Sequence, residues 1–161
     1  MIRQITLKDF TEWKKIRLEA VKLHPESFGE NAAEVARQNK EYLEKSLQNG
    51  TIFCYEENNK MIGIVGTFSM PYENMRHRAN LFGLYIKENF RNRGIASLLV
   101  NHLINFLSQN HKQVHLCVTT TNVPALTFYQ KHGFVIYGTE PDALLINNQY
   151  HDEYMMIRKL S

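Results

Sequence analysis

The chain has 161 residues, 43% of them hydrophobic and 22% charged, a balance that excludes intrinsic disorder and fits one globular domain burying roughly 70% of its unfolded surface. Nineteen basic against sixteen acidic residues leave a formal charge of +3, too small and too dispersed for a nucleic-acid binder, whose basic residues gather in a stripe. No run approaches the ~18 apolar residues of a membrane span; even LLVNHLINFL, from Leu98 to Leu107, is interrupted by polar residues.

The opening MIRQITLKDF mixes acid, base and amide, unlike the apolar core of a secretory signal. Cys54 and Cys117 have neither CxxC spacing nor an evident partner, so both are expected as buried free thiols. Together these features favour a cytoplasmic protein. With no repeat, low-complexity tract or linker, residues 1–161 are read as a single domain.

Ile2 to Leu7 reads as a short strand, with Asp9 as the N-cap of a helix. Phe10, Trp13, Ile16, Ala20 and Leu23 mark one face of that helix, which stops before Pro25. A second, more polar helix is predicted from Asn31 to Gln48, ended by Gly50. Thr51–Tyr55 and Met61–Met70 are β-branched and aromatic runs around the polar turn Glu56–Lys60, a hairpin signal, and Arg78–Ile86 is a further strand.

Ile95, Leu98, Leu99, Leu103, Phe106 and Leu107 form the clearest helical stripe, with His102 on it as a core residue. Val114–Val118 alternates like a strand, and Pro124 opens a helix that Gly133 closes after Lys131 and His132. Val135–Tyr137 and Tyr154–Leu160 read as the last two strands. The order β-α-α-β-β-β-α-β-α-β-β predicts an α/β (α+β) fold, a mixed central sheet of about seven strands flanked by about four helices.

The most informative segment is LFGLYIKENFRNRGIASLLV, Leu81 to Val100: a strand, a polar turn with two arginines and a glycine, then a strong helix. Unpaired amides at a helix N-terminus carry partial positive charge and suit a pyrophosphate. Gly94 lets the backbone approach the anion, and Ala96 and Ser97 are small. Arg91 and Arg93 add charge-assisted donors, and Lys87 is within reach of the same anion. A solvated basic turn fits the same residues. Neither GxxxxGK[ST] nor GxGxxG is present, which disfavours a nucleotide-triphosphate loop.

At Arg91, Gly94 and Ala96 the chain resembles the GNAT superfamily of acetyl-CoA-dependent N-acetyltransferases, whose signature is R/Q-x-x-G-x-G/A. VTTTNVPALTFYQKHGF, Val118 to Phe134, resembles a second signature of that family at matched spacing. GTEPDALLINNQYHDEYMM, from Gly138, and HPESFGE, from His24, resemble a bacterial branch more loosely. Two departures stand out: Glu88 where many members have proline, and Asn92 where glycine often lies.

The resemblance implies a single N-acetyltransferase domain with acetyl-CoA as co-substrate. Amides of Asn92, Arg93, Gly94, Ile95, Ala96 and Ser97 would hold the CoA pyrophosphate. The main chain of Leu84 and Ile86, with Tyr85 between, would pair with the pantetheine amides. Asn122 would contact the pantetheine arm, Ala125 would leave it room, and Lys131 would meet outer phosphates or stay solvated. Tyr129 would be the general acid that protonates the departing thiolate, a task for which a phenol with a pKa of about 10 is suited. A backbone N–H near Ile86 would polarise the thioester carbonyl. The implied reaction is direct transfer to a primary amine of a small molecule or protein.

The general base stays open among Glu26, Glu30, Glu34, Asp152, Glu153 and a water chain. Cys117 is disfavoured as a nucleophile, because no His or acid stands in a recognisable relation to it. The seven histidines show no metal-ligand spacing, so no metal is expected. A non-catalytic acyl-CoA-binding module is the rival reading. The acceptor is not legible, and neither is the oligomeric state, for which a homodimer is one option.

Overall fold

Seven strands arise where β-branched and aromatic residues cluster: β1 (Ile2–Gln4), β2 (Gly50–Glu57), β3 (Lys60–Ser69), β4 (Arg78–Ile86), β5 (Gln113–Thr119), β6 (Val135–Ile146) and β7 (Gln149–Lys159). The computed structural model describes residues 1–161 and joins these strands in one sheet, ordered β1-β2-β3-β4-β5-β7-β6. All neighbours are antiparallel except β4 and β5. Five helices flank the sheet: α1 (Phe10–Leu23), α2 (Ala32–Arg37), α3 (Lys40–Asn49), α4 (Ile95–Leu107) and α5 (Val123–Lys131).

Each face of the sheet carries its own core. Leu99, Leu103 and Leu107 of α4 pack with Val65, Leu81, Val114, Phe134 and Met156. On the other face Trp13 and Ile16 of α1 and Leu43 of α3 cover Ile52, Ile64 and Tyr85. Burial of one such aliphatic side chain contributes about 1.5–3 kcal/mol.

Several expectations are corrected. The polar helix from Asn31 to Gln48 is two helices. Gln38 turns to extended backbone (ψ 135°), and the Asn39 side chain caps the next helix by accepting from the Tyr42 N–H. Gly50 does end α3, but at φ −170°; a Cβ there would meet the Thr67 carbonyl oxygen at 1.9 Å, so strand contact explains the glycine. Asp9 makes no cap bond to α1. Its carboxylate instead accepts from the Thr6 N–H and pairs with Arg3, closing a capping box with Thr6.

β6 runs far beyond Tyr137, because a register shift between Glu140 and Leu144 absorbs Pro141 and Asp142. The Asp142 N–H, at φ +51°, is held by the Asp152 carboxylate at 2.8 Å. Leu98 and Phe106 are exposed rather than on the buried stripe of α4. His102 is exposed too, edge-on to Phe53 at 4.7 Å. Of the two free cysteines, Cys54 is buried and Cys117 exposed. No helix is long and apolar enough to cross a membrane.

Candidate active site

The parallel strands β4 and β5 pair only over Arg78–Asn80 and Gln113–His115. Beyond that step β4 continues to Ile86 and β5 to Thr119, so the sheet opens into a V. Gly83, at φ +63°, sits where the β3–β4 register shifts, and such a bulge bends the strand. The Lys87 N–H donates to the Ile62 carbonyl at 3.0 Å. That bond makes Gly63–Ile86 a non-hydrogen-bonded pair and turns the Ile86 main chain toward the opening.

A cavity of about 850 Å³ runs through the V. Leu84, Asn122, Ala125 and Tyr129 line it from β4 and the start and body of α5, and Trp13, Arg17 and Tyr42 line it from the helices of the opposite face, with Phe28 from the α1–α2 connection.

At the mouth of the V the loop into α4 forms a cradle of amides. Asn92 (φ +59°) and Gly94 (φ +76°) both take left-handed backbone. The first helical bond runs from the Leu98 N–H to the Gly94 carbonyl at 3.0 Å, and no side chain caps α4. The amides from Asn92 to Ser97 therefore have no protein acceptor, and with the α4 dipole they suit an anion. A Cβ on Gly94 would meet nothing within 4 Å, so the positive φ is what requires glycine.

The arginines of this loop, expected as further donors to the anion, engage protein partners in this structure. Arg91 donates from Nε to the Ile86 carbonyl at 3.0 Å, and its Nη2 lies 2.9 Å from His24 Nε2. Arg93 pairs with Glu57 at 2.8 Å, and Lys87 lies 3.9 Å from Glu19. Nearby carboxylates and a carbonyl thus engage these cations, while the amides of the loop have no protein acceptor.

Tyr129 is 8% exposed. Its ring sits edge-on to Phe128 at 5.3 Å and Phe134 at 5.6 Å, and its hydroxyl has no protein partner. Burial pushes its pKa up from the ordinary phenol value, so it stays protonated at neutral pH. The Asn122 side-chain oxygen caps α5 by accepting from the Ala125 N–H at 3.2 Å, leaving its amide nitrogen free of protein acceptors. Lys131 is exposed on α5 and does not line the cavity. The Tyr85 hydroxyl donates to Glu19 at 2.9 Å, and its pKa is pushed up to about 12, first by burial and then by that bond.

Among the candidate bases, Glu30 is occupied by Arg17, Gln38 and Tyr42, and Glu34 closes the capping box of α2. Glu153 lines the cavity without a hydrogen-bond partner. Burial first, then the facing Glu140, raises its pKa above the usual carboxylate range. Sequence reasoning missed Arg78, His115 and Tyr137, which also line the cavity. The signal was present as alternation: Arg78 and Asn80 share one face of β4, while Ala79 and Leu81 pack in the core on the other.

Residues 2–155 match the family model described as the acetyltransferase (GNAT) domain. The chain belongs to the GNAT acetyltransferase family. Among its GNAT relatives, the L-amino acid N-acetyltransferase AaaT of Escherichia coli (strain K12) is 31% identical over 99 residues, 59% of this chain and 61% of that protein. The spermidine N(1)-acetyltransferase of Vibrio cholerae is 29% identical over 103 residues, 62% of this chain and 58% of that protein. The chain thus spans about three fifths of the length of these curated relatives. A GNAT-family acetyltransferase from Streptococcus pneumoniae shares the fold with a TM-score of 0.87 and 27% identity, covering 100% of this chain and 99% of that one. YncA of Salmonella typhimurium, solved with acetyl-CoA, superposes with a TM-score of 0.85 at 17% identity, covering 100% of this chain and 94% of the other; that likeness is one of fold.

Proposed function

We propose that this protein is an acetyl-CoA-dependent N-acetyltransferase acting on primary amines by direct transfer. The observation that carries the reading is the open V between β4 and β5, with an amide cradle at its mouth and, in its wall, the buried Tyr129, whose hydroxyl has no protein partner. In this reading the amides from Asn92 to Ser97 hold the pyrophosphate, and the outward-facing main chain of Leu84 and Ile86 holds the pantetheine arm beside Asn122 and Ala125. The occupied Ile86 carbonyl leaves its N–H as the group that polarises the thioester carbonyl.

The amine nitrogen forms the new C–N bond as the C–S bond breaks, and Tyr129 gives its proton to the departing sulfur. Glu153, free and with a raised pKa, is the carboxylate best suited to collect the ammonium proton. The unpaired cysteines support a cytoplasmic setting.

The test is thiol release from acetyl-CoA across an amine library, with the native protein and Tyr129→Phe. The substitution should lower kcat about 10²- to 10⁴-fold while leaving CoA affinity within a few-fold. Unchanged turnover would remove Tyr129 from the mechanism. CoA binding without turnover of any amine would favour a non-catalytic acyl-CoA-binding module.

A further inference from the structure

On the α1–α3 side of the sheet, taken as the acceptor half, the cavity holds a cation that no protein group neutralises. Arg78 opens β4 at the first paired step with β5, two residues before the pairing ends and the V begins, and its register partner is Gln113. His115 lies two residues further along β5, on the same face of the sheet, and both side chains line the cavity. Arg78 is in no ion pair, and its Nε is buried without a partner. The other part-buried arginines are all satisfied: Arg3 by Asp9 and Glu56, Arg17 by Glu30, Arg158 by the His132 carbonyl.

His115 supplies the second unmet group. It is 8% exposed, its Nδ1 is 3.3 Å from the Tyr137 hydroxyl, and its Nε2 is buried with no partner. Burial first, then the neighbouring Arg78 and His77, depress its pKa, so the ring is neutral at neutral pH. In the tautomer where the Tyr137 hydroxyl donates to Nδ1, the Nε2 proton is free for a ligand. The other charged groups of this cavity do not offset Arg78. Arg17 and Glu30 pair with each other, Lys45 pairs with Glu41, and Glu153 sits at the far end of β5, opposite Thr119.

A guanidinium with an unpaired face and an imidazole N–H beside it match the two oxygens of a carboxylate. A polyamine would instead bring further positive charge against Arg78. We infer that Arg78 and His115 form a subsite for the carboxylate of the acceptor, so that the acceptors are amines bearing a carboxylate: amino acids rather than polyamines. This rests on the acyl-transfer reading above and narrows its substrate class.

The experiment compares matched pairs, each free amino acid against its decarboxylated amine and its carboxamide, with native protein, Arg78→Gln and Arg78→Lys. The native kcat/KM should favour the acid in at least one pair. Arg78→Gln should reduce that ratio at least about tenfold, the scale of a lost charge-assisted bond, and Arg78→Lys should give an intermediate ratio. Equal use of acid, amide and decarboxylated amine, or a ratio unmoved by either variant, overturns the subsite. If Arg78→Gln fails to fold, Arg78→Lys decides the matter.

Should no amine turn over, the acyl-transfer reading fails, and the subsite is judged by calorimetric binding of the same amino acids to the CoA-loaded protein. Binding weakened in the variants sustains it, and binding absent or unchanged overturns it.

Discussion

Replacing Gly94 with alanine separates what the fold needs from what a bound anion needs. Gly94 has φ +76° and open space where a Cβ would lie, so the cost to the fold is that of left-handed backbone in an L-residue, about 1–2 kcal/mol. Gly133 is the control, at φ +81° with only ordinary contacts from Arg158 at 3.5 Å, just past the C-terminal end of α5 and outside the 92–97 loop. Each alanine variant should lose about 1–2 kcal/mol, a melting shift of about 2–8 °C in a chain of this size. CoA then discriminates between them. At a concentration of about 100 Kd it should stabilise the native protein and Gly133→Ala by about 2.7 kcal/mol. If reshaping the cradle weakens binding tenfold, Gly94→Ala retains only about 1.4 kcal/mol of that gain. Thermal unfolding with and without CoA reads both quantities. Equal CoA stabilisation in the two variants would refute the assignment of the cradle to phosphates.

Two further expectations concern pH. Glu153 faces Glu140 directly across β6 and β7, and its raised pKa means the native state holds that proton more tightly than the unfolded chain, so its contribution to stability falls as pH rises above the carboxylate range. Glu153→Gln should therefore gain about 0.2–1 kcal/mol at neutral pH, with the gain gone near pH 4; denaturant titrations at both pH values check this. Arg3, and then Thr6, hold the Asp9 carboxyl below its usual range, so its stabilisation is present above that range and is lost as pH falls through the lowered value. Asp9→Asn should cost about 1 kcal/mol at neutral pH, a melting shift of about 2–4 °C that shrinks in acid; an unchanged melting temperature would deny the capping box any energetic role.

Much of this was legible because the chemistry constrains local sequence. A phosphate cradle needs left-handed backbone and small residues at a helix start, so Gly94, Ala96 and Ser97 announce it within a few positions. Asn92 takes the positive φ that asparagine, of the non-glycine residues, adopts readily, so the backbone there does not require glycine. Tyr129 and Asn122 were singled out through the family resemblance, and both lie on the cavity wall. What failed to show depends on partners distant in sequence. The opening between β4 and β5 is a property of pairing that stops at Asn80 and His115, and no run of residues encodes where a ladder ends. The break at Gln38 was hidden because Gln38 and Asn39 continue a polar helical pattern, and only the cap bond to Tyr42 restarts it. Arg78 and His115 read as a strand start and a stray histidine until the register sets them on one face of the sheet, offset by two residues.

Arg91 shows how the legible and illegible parts meet. As a signature residue beside a phosphate cradle it invites assignment to the anion, yet its guanidinium turns back to the Ile86 carbonyl, to His24 just past α1, and over the Tyr85 ring at 5.5 Å. Tyr85 in turn donates to Glu19 on α1. The loop, the end of β4 and the helix that borders the acceptor half are thereby held to one another. Arg91 thus fixes the cradle relative to the V, and in the proposed reading the amides carry the charge recognition. A glutamine at position 91 could donate to the same carbonyl, whereas the left-handed backbone of Gly94 favours glycine.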